Sequence, residues 1–267
     1  MRRCLLFIPM YNCGPQIGRV LSQLQKDGVA DHFEGVACID NGSSDDTVEA
    51  AIRGLETVPI SKRAVLVNRD NYNLGGSHKV AIAHALDHGY THLTVLHGDD
   101  QGSVDDLVDN LPENGDAGVD CLLGARFMTG SRLDGYSPLR TAANRAFNGL
   151  FSMAARHRLY DLGSGLNMYR VEIFRDNFHI RFPDDLTFNY YLILATCARG
   201  HSHRFFPLRW REDDQVSNAR LFRQGCRMLR LLAGRTLQGR QFLEAEHREI
   251  VREQYDSTPV QTWGTWP

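Results

Sequence analysis

The residues best placed to do chemistry lie between positions 92 and 106, His-Leu-Thr-Val-Leu-His-Gly-Asp-Asp-Gln-Gly-Ser-Val-Asp-Asp. The apolar run 93–96 has the composition of a buried strand, and it stops at His97, Gly98, Asp99 and Asp100. Two carboxylates and an imidazole therefore gather at one strand end. Carboxylate oxygens suit Mg2+ or Mn2+, and the phosphates of a ligand can complete the shell of such an ion. An imidazole at position 97 would favour Mn2+, the softer of the two. The same aspartates also suit a plain turn that they solvate and cap, and Ser103 with Asp106 offers a capping box for the next helix.

Other candidates recur at similar places. Asp40 follows the apolar residues 35–39 and opens the turn Asp40-Asn41-Gly42-Ser43-Ser44-Asp45-Asp46-Thr47. Its carboxylate can accept hydrogen bonds from a base or sugar, or from the amides of its own turn. Arg69 follows the run 64–67 and can face a diphosphate across a turn in which Gly75 and Gly76 permit close backbone approach. That glycine pair does not match G-x-G-x-x-G, which sets aside a nicotinamide-dependent dehydrogenase. Arg126 comes just after the run 119–123, Asp161 and Ser164 flank a glycine turn, and Asp184 and Asp185 open a further helix. Carboxylates at a helix start gain from its dipole whether or not they react. Arg209 and Arg211 share one face of a strand and can reach phosphate groups.

The elements that must hold these residues alternate strand, polar turn and helix through the first 125 positions. That order predicts an α/β fold, a mostly parallel sheet with helical crossovers, with Asp40, Arg69, Asp99 and Arg126 along one rim. Pro15 suits the first turn of a helix reaching residue 26. Residues 137–156 carry Leu139, Ala142, Ala143, Ala146, Phe147, Leu150, Phe151 and Ala154 at helical spacing. Between Gln215 and Arg240 no acidic residue occurs, and 217–235 reads as a basic amphipathic helix with Leu221, Met228, Leu229 and Leu232 on its apolar side. Residues 258–267 read as a flexible or docked tail. The division expected is a catalytic domain over 1–218 and a basic helix with tail over 219–267.

Composition bounds the function classes. At 267 residues, 42% hydrophobic and 23% charged, the chain suits a soluble globular protein. No apolar run reaches the roughly 18 residues that a membrane span needs. The six cysteines are widely spaced, as expected of reduced, packed thiols in a cytosolic protein. A net charge of -2 argues against nucleic acid as the partner.

Taken together, Pro9-Met10-Tyr11-Asn12, the turn 40–47, Asn73-Leu74-Gly75-Gly76, Gly98-Asp99-Asp100-Gln101, Gly124-Ala125-Arg126-Phe127 and Asp161-Leu162-Gly163-Ser164-Gly165 resemble the family 2 glycosyltransferases. The closer resemblance is to their polyprenyl-phosphate sugar transferase branch, and it covers about residues 3–218. It implies a GT-A fold, a nucleotide-diphosphate sugar donor, a divalent cation and inversion at the anomeric carbon. By that resemblance Asp40 binds the base or ribose, Asp99 is the main metal ligand and Arg126 lies beside the sugar diphosphate. Pro9, Tyr11, Asn12, Arg69, Gly75, Gly76 and Arg209 complete the expected donor site. His97 stands where the family commonly has its first acidic residue. For an alcohol acceptor, Asp185 is the favoured base, with Asp161 and Asp184 as alternatives; a lipid phosphate is already ionised and needs orientation more than proton removal. A polyprenyl phosphate or related glycan or lipid acceptor implies peripheral contact with the cytoplasmic membrane face. Two other classes share the pattern: a sugar nucleotidyltransferase, which would release pyrophosphate, and an inactive sugar-nucleotide-binding protein.

Overall fold

A computed structural model describes residues 2–112, 117–212 and 221–266. Its elements in chain order are β1 (Cys4–Met10), α1 (Gly14–Ser22), β2 (Gly35–Asp40), α2 (Thr47–Leu55), β3 (Lys62–Asn68), α3 (Asn73–Asp87), β4 (His92–Leu96), α4 (Val104–Val108) and β5 (Cys121–Ala125). Then follow β6 (Arg132–Asp134), α5 (Pro138–Ala155), β7 (Leu166–Arg170), α6 (Phe188–Ala198), β8 (His203–Pro207), β9 (Arg209–Arg211), α7 (Leu221–Gln238), α8 (Arg240–Glu244) and β10 (Ser257–Trp263).

Eight strands form one sheet in the order β10-β3-β2-β1-β4-β7-β5-β8, while β6 and β9 pair separately. Every residue of β2 and β4 is buried, as in strands covered on both faces, and this takes in the polar His92, Thr94 and Asp40. Alternation then divides the core. Leu5, Phe7 and Ile39 face a layer containing α3, α6 and the buried residues of α7, whereas Leu6, Ile8 and Cys38 face α1 and α2.

Register fixes the rim. Met10 lies beside Asp40, Asp40 beside Val67 and Phe7 beside Val95, so the ends of β1, β2, β3 and β4 open on the same side. β7 runs antiparallel between β4 and β5, pairing Leu96 with Leu166 and Leu123 with Asn167. That reversal places Gly165, just before β7, next to His97, and Gly163 beside Arg126.

The end of the chain is docked. β10 pairs antiparallel with β3 at the sheet edge, with a register shift between Pro259 and Gln261. Met228 and Leu231 of α7 and Phe242 and Leu243 of α8 are buried in the shared core, and Leu232 packs against it. The stripe expected on α7 is therefore corrected: Met228 and Leu232 turn inward, and only Leu229 of the described side chains in that set is strongly exposed. Residues 217–220 of the expected helix lie outside the described residues.

Helix starts also differ from expectation. Thr47 N–H and Oγ1 both donate to Asp45 Oδ1, at 3.2 and 2.5 Å, so Asp45 closes the turn into α2. At α4 the Val104 N–H donates to Gln23 Oε1 at 2.9 Å, and Asp106 is drawn away by Arg209.

Candidate active site

β4 delivers His97, Gly98 and Asp99 to the rim between β1 and β7. The Gly98 N–H donates to the Pro9 carbonyl at 3.1 Å, and a Cβ on Gly98 would sit 3.0 Å from that oxygen. Pro9 thus sets the height of the acidic turn through its backbone. On the other side the His97 N–H donates to the Gly165 carbonyl at 3.2 Å, and a Cβ on Gly165 would lie 2.6 Å from His97 Nδ1. The imidazole can lie flat over this position because residue 165 has no side chain.

Asp99 and Asp100 are divided by their partners. Asp100 adopts φ 58°, a left-handed conformation that aspartate tolerates, and its buried carboxylate accepts from Arg19 Nε at 2.7 Å, Gln23 Nε2 at 3.3 Å and Arg211 Nη2 at 3.3 Å. Asp99 accepts only the Gln101 N–H, at 3.2 Å, among the described residues. Burial pushes its carboxyl up to about 6, with the neighbouring Asp100 charge adding a smaller push in the same direction. His97 is driven down to about 4, first by burial and then by the Arg126 charge, so at neutral pH it is an uncharged imidazole. Its buried Nε2 has no hydrogen-bond partner among the described residues.

These residues fit a divalent ion carried partly by its ligand. No group of three His, Cys, Asp or Glu side chains able to hold a metal exists among the described residues. One uncommitted carboxylate with a neighbouring free imidazole nitrogen is instead the donor set of an ion whose remaining ligands are phosphate oxygens and water.

Arg126, from the end of β5, is held by Asp161. Its backbone N–H, Nε and Nη2 donate to that carboxylate at 3.0, 2.7 and 2.9 Å, and the Gly163 N–H adds another bond at 3.0 Å. The guanidinium lies between the rings of Phe127 and Trp210, 5.2 and 5.0 Å from their centroids. Asp161 is therefore corrected as a free base: its carboxylate carries the charge balance of a nearly buried arginine.

Asp185 is likewise occupied. Its Oδ1 accepts the N–H and hydroxyl of Thr187 at 2.8 and 2.6 Å, while Oδ2 accepts Arg227 Nη1 from α7 at 2.6 Å. Asp184 accepts from Lys79 Nζ, Tyr255 Oη and Arg252 Nη1, at 2.7, 2.8 and 3.3 Å. Neither offers an idle carboxylate to a substrate hydroxyl.

On the donor side, Asp40 is buried and accepts the Gly42 and Ser43 N–H groups on one oxygen, each at 2.9 Å, and the Ser43 hydroxyl on the other. Its direct bonds shape the turn. Asn12, at φ 48°, accepts the Ser44 N–H at 2.8 Å, and its own N–H donates to Ser43 Oγ at 2.9 Å, which joins the first two rim loops. Tyr11 stands exposed beside them. Asn41, which the sequence argument passed over, accepts Asn68 Nδ2 at 3.0 Å and the Tyr72 N–H at 2.8 Å and donates to Asn71 Oδ1 at 2.8 Å. Its position directly after a strand-end aspartate was the available signal.

Four residues expected at the donor make contacts within the protein. Arg69 pairs with Asp256 at 3.1 Å, out toward the C-terminal strand. The Gly75 and Gly76 N–H groups donate to the Asp184 carbonyl at 2.6 and 3.3 Å, and a Cβ on Gly75 would lie 2.6 Å from the Pro183 carbonyl. The close approach these glycines permit is to the protein's own backbone. Arg209 donates through its N–H and Nε to Asp106, at 2.7 and 2.5 Å, so it braces the acidic loop. Trp210, between Arg209 and Arg211, was missed because its role depends on the fold: it is buried beneath Arg126 and beside Gly102.

Solved structures share this architecture. Glucosyl-3-phosphoglycerate synthase from Mycobacterium tuberculosis, in complex with uridine diphosphate, superimposes with a TM-score of 0.59 at 15% identity, over 98% of this chain and 90% of that one. A mannosyltransferase from Pyrobaculum calidifontis, in complex with GDP-Man and Mn2+, gives 0.56 at 17%, over 90% of this chain and 65% of that one. No curated protein matches the chain in sequence. The family model described as glycosyl transferase family 2 matches residues 6–178, which take in every strand end that builds the rim from Met10 to Gly165, and the chain belongs to that family.

Proposed function

We propose that this enzyme transfers a sugar, with inversion, from a nucleoside diphosphate to the phosphate of a polyprenyl-type lipid. The observation that carries the choice of acceptor is that Asp161, Asp184 and Asp185 are all engaged by cations or caps. An alcohol acceptor needs a base for its proton; a lipid phosphate brings an ionised oxygen. That oxygen attacks C1 of the sugar, the bond from C1 to the diphosphate oxygen breaks, and the nucleoside diphosphate leaves with the bond's electrons.

Asp99, with His97 beside it, would hold the Mg2+ or Mn2+ that accompanies the diphosphate, and such an ion would supply neutralisation of the charge on the leaving group. The relatives solved with Mn2+ support this assignment. Asp40 and Asn12 keep the nucleoside side of the rim in shape, and Arg126, buttressed by Asp161, sets a fixed positive charge near the reacting end. Residues 1–218 would carry the donor chemistry, and residues 219–267 the side facing the lipid, with the protein peripheral to the membrane.

The test is a panel of nucleotide sugars incubated with a short-chain polyprenyl phosphate and, separately, with the corresponding polyprenol. Release of nucleoside diphosphate together with glycosylated lipid phosphate is expected. Equal or faster transfer to the free alcohol would overturn the acceptor assignment.

A further inference from the structure

α5 packs Phe147, Phe151 and Ala155 on the core and carries a second apolar side that the core does not cover. Its buried or half-buried positions include Arg140, Thr141, Asn144 and Asn148, while Leu139, Ala142, Ala143, Ala146, Gly149, Leu150 and Met153 are all exposed. At 100° per residue those seven form one stripe about 120° wide along the whole helix. Leu139 and Met153, near its two ends, are 80% and 69% exposed. A stripe of this kind left in water marks an interaction surface.

α7 packs beside α5, and both contribute to the same core through Phe151 and Met228. Its outward side carries Leu229, Ala233 and Leu237 with Arg230. Residues 138–160 and 221–243 contain arginines but no aspartate or glutamate, in a chain of net charge -2; Arg140 and Arg227 pair with Glu212 and Asp185 from other segments, while Arg145 and Arg230 are exposed. Two such faces from separate copies would repel each other, whereas an anionic surface would draw both helices in. α7 is tied to the catalytic domain by Arg227, which holds Asp185 at 2.6 Å.

We infer that the outer faces of α5 and α7 form the surface by which the enzyme lies on an anionic lipid membrane, with Leu139, Leu150, Met153, Leu229 and Leu237 entering the interface and Arg145 and Arg230 meeting lipid phosphates. This rests on the lipid-phosphate reading and extends it to the place where the lipid is met. No helix among the described residues can cross a bilayer, so the attachment is lateral and reversible.

The experiment is flotation of the full chain with vesicles of phosphatidylcholine alone or with about 30% phosphatidylglycerol, from about 50 to about 500 mM salt. The expected result is binding to the anionic vesicles only, weakening as salt rises. A Leu139→Glu/Met153→Glu variant, altered at two exposed positions, should keep its melting temperature and lose roughly 10-fold or more in binding. Wild type that stays off anionic vesicles, or a variant that floats as well as wild type, overturns the inference. Light scattering adds a third arm: a wild-type dimer that the same variant dissolves would assign the face to self-association and overturn it too. Transfer to the short-chain lipid phosphate, measured in parallel without vesicles, separates the two readings. Flotation without such transfer would sink the acceptor assignment and leave the surface standing; transfer without flotation would do the reverse.

Discussion

Arg19 Nε lies 2.7 Å from Asp100 Oδ2, so the carboxylate next to Asp99 is bound to α1 and cannot turn toward a ligand. Arg211 reaches the same oxygen from β9 at 3.3 Å. One of two adjacent aspartates is thereby a strut and the other is left to act. Asp99→Asn is expected to keep the melting temperature and lower metal-dependent transfer by about 100-fold or more. Asp100→Asn should instead lower stability by about 1–2 kcal/mol, given that both arginines are half exposed, and weaken Mn2+ binding through misplacement of its neighbour. Calorimetric titration with Mn2+ and thermal melts of both variants check the division. Interchangeable effects would refute it.

His97 is expected to select the ion. Its uncharged imidazole with an unpartnered Nε2 favours Mn2+ over Mg2+, and His97→Ala should reduce that preference while leaving either ion usable. Titrating both proteins with both ions tests this; an unchanged preference would place the nitrogen away from the metal.

Breaking the Arg126 and Asp161 pair from one side should be severe. Side-chain exposure is 12% for the arginine and 2% for the aspartate, so Asp161→Asn leaves a guanidinium buried without its counter-ion, at about 3–5 kcal/mol. Replacing both, as Arg126→Met with Asp161→Asn, should recover part of that loss. Denaturant midpoints of the single and double variants give the coupling, and simple additivity would show the pair to be independent.

Lys79 makes stability depend on pH at the alkaline end. Its ammonium is fully enclosed against the Phe182 carbonyl, Asp184 and Tyr255, and burial lowers it from 10.5 to about 8, with Asp184 offsetting only part of the shift. Between those values the unfolded chain holds a proton that the folded chain releases. Wild type should therefore gain stability relative to Lys79→Met as pH rises from 8 to about 10, and lose that gain as pH falls through 8. Parallel urea melts across this range would show it, and identical slopes would contradict it.

The rim was legible from the sequence because each strand end carries its own local marks: an apolar run, then polar residues at the turn. Asp40, Asp99 and Arg126 met at one edge as the alternation of strands and helices required. What each carboxylate or arginine touches was not legible, because those partners come from distant segments. Asp106 meets Arg209, Arg69 meets Asp256, and Gly75 meets the backbone of Pro183 and Asp184. The α5 periodicity gave the helix and the inward Phe147 and Phe151, but not that asparagines share the buried side by bonding to loop and helix oxygens, as Asn148 does to the Tyr160 carbonyl at 2.6 Å.

The pairing of β10 with β3 bears on how the molecule assembles in time. It joins Asn68 to Ser257, whereas β1 and β2 join residues only about 30 positions apart. Closing so long a loop returns its contacts only after the rest of the sheet exists, so the edge strand is expected to dock after the rate-limiting step. Substitutions that weaken β10 should then quicken unfolding while leaving the refolding rate almost unchanged, and the outer edge of β3 stays open to other strands until that docking is complete.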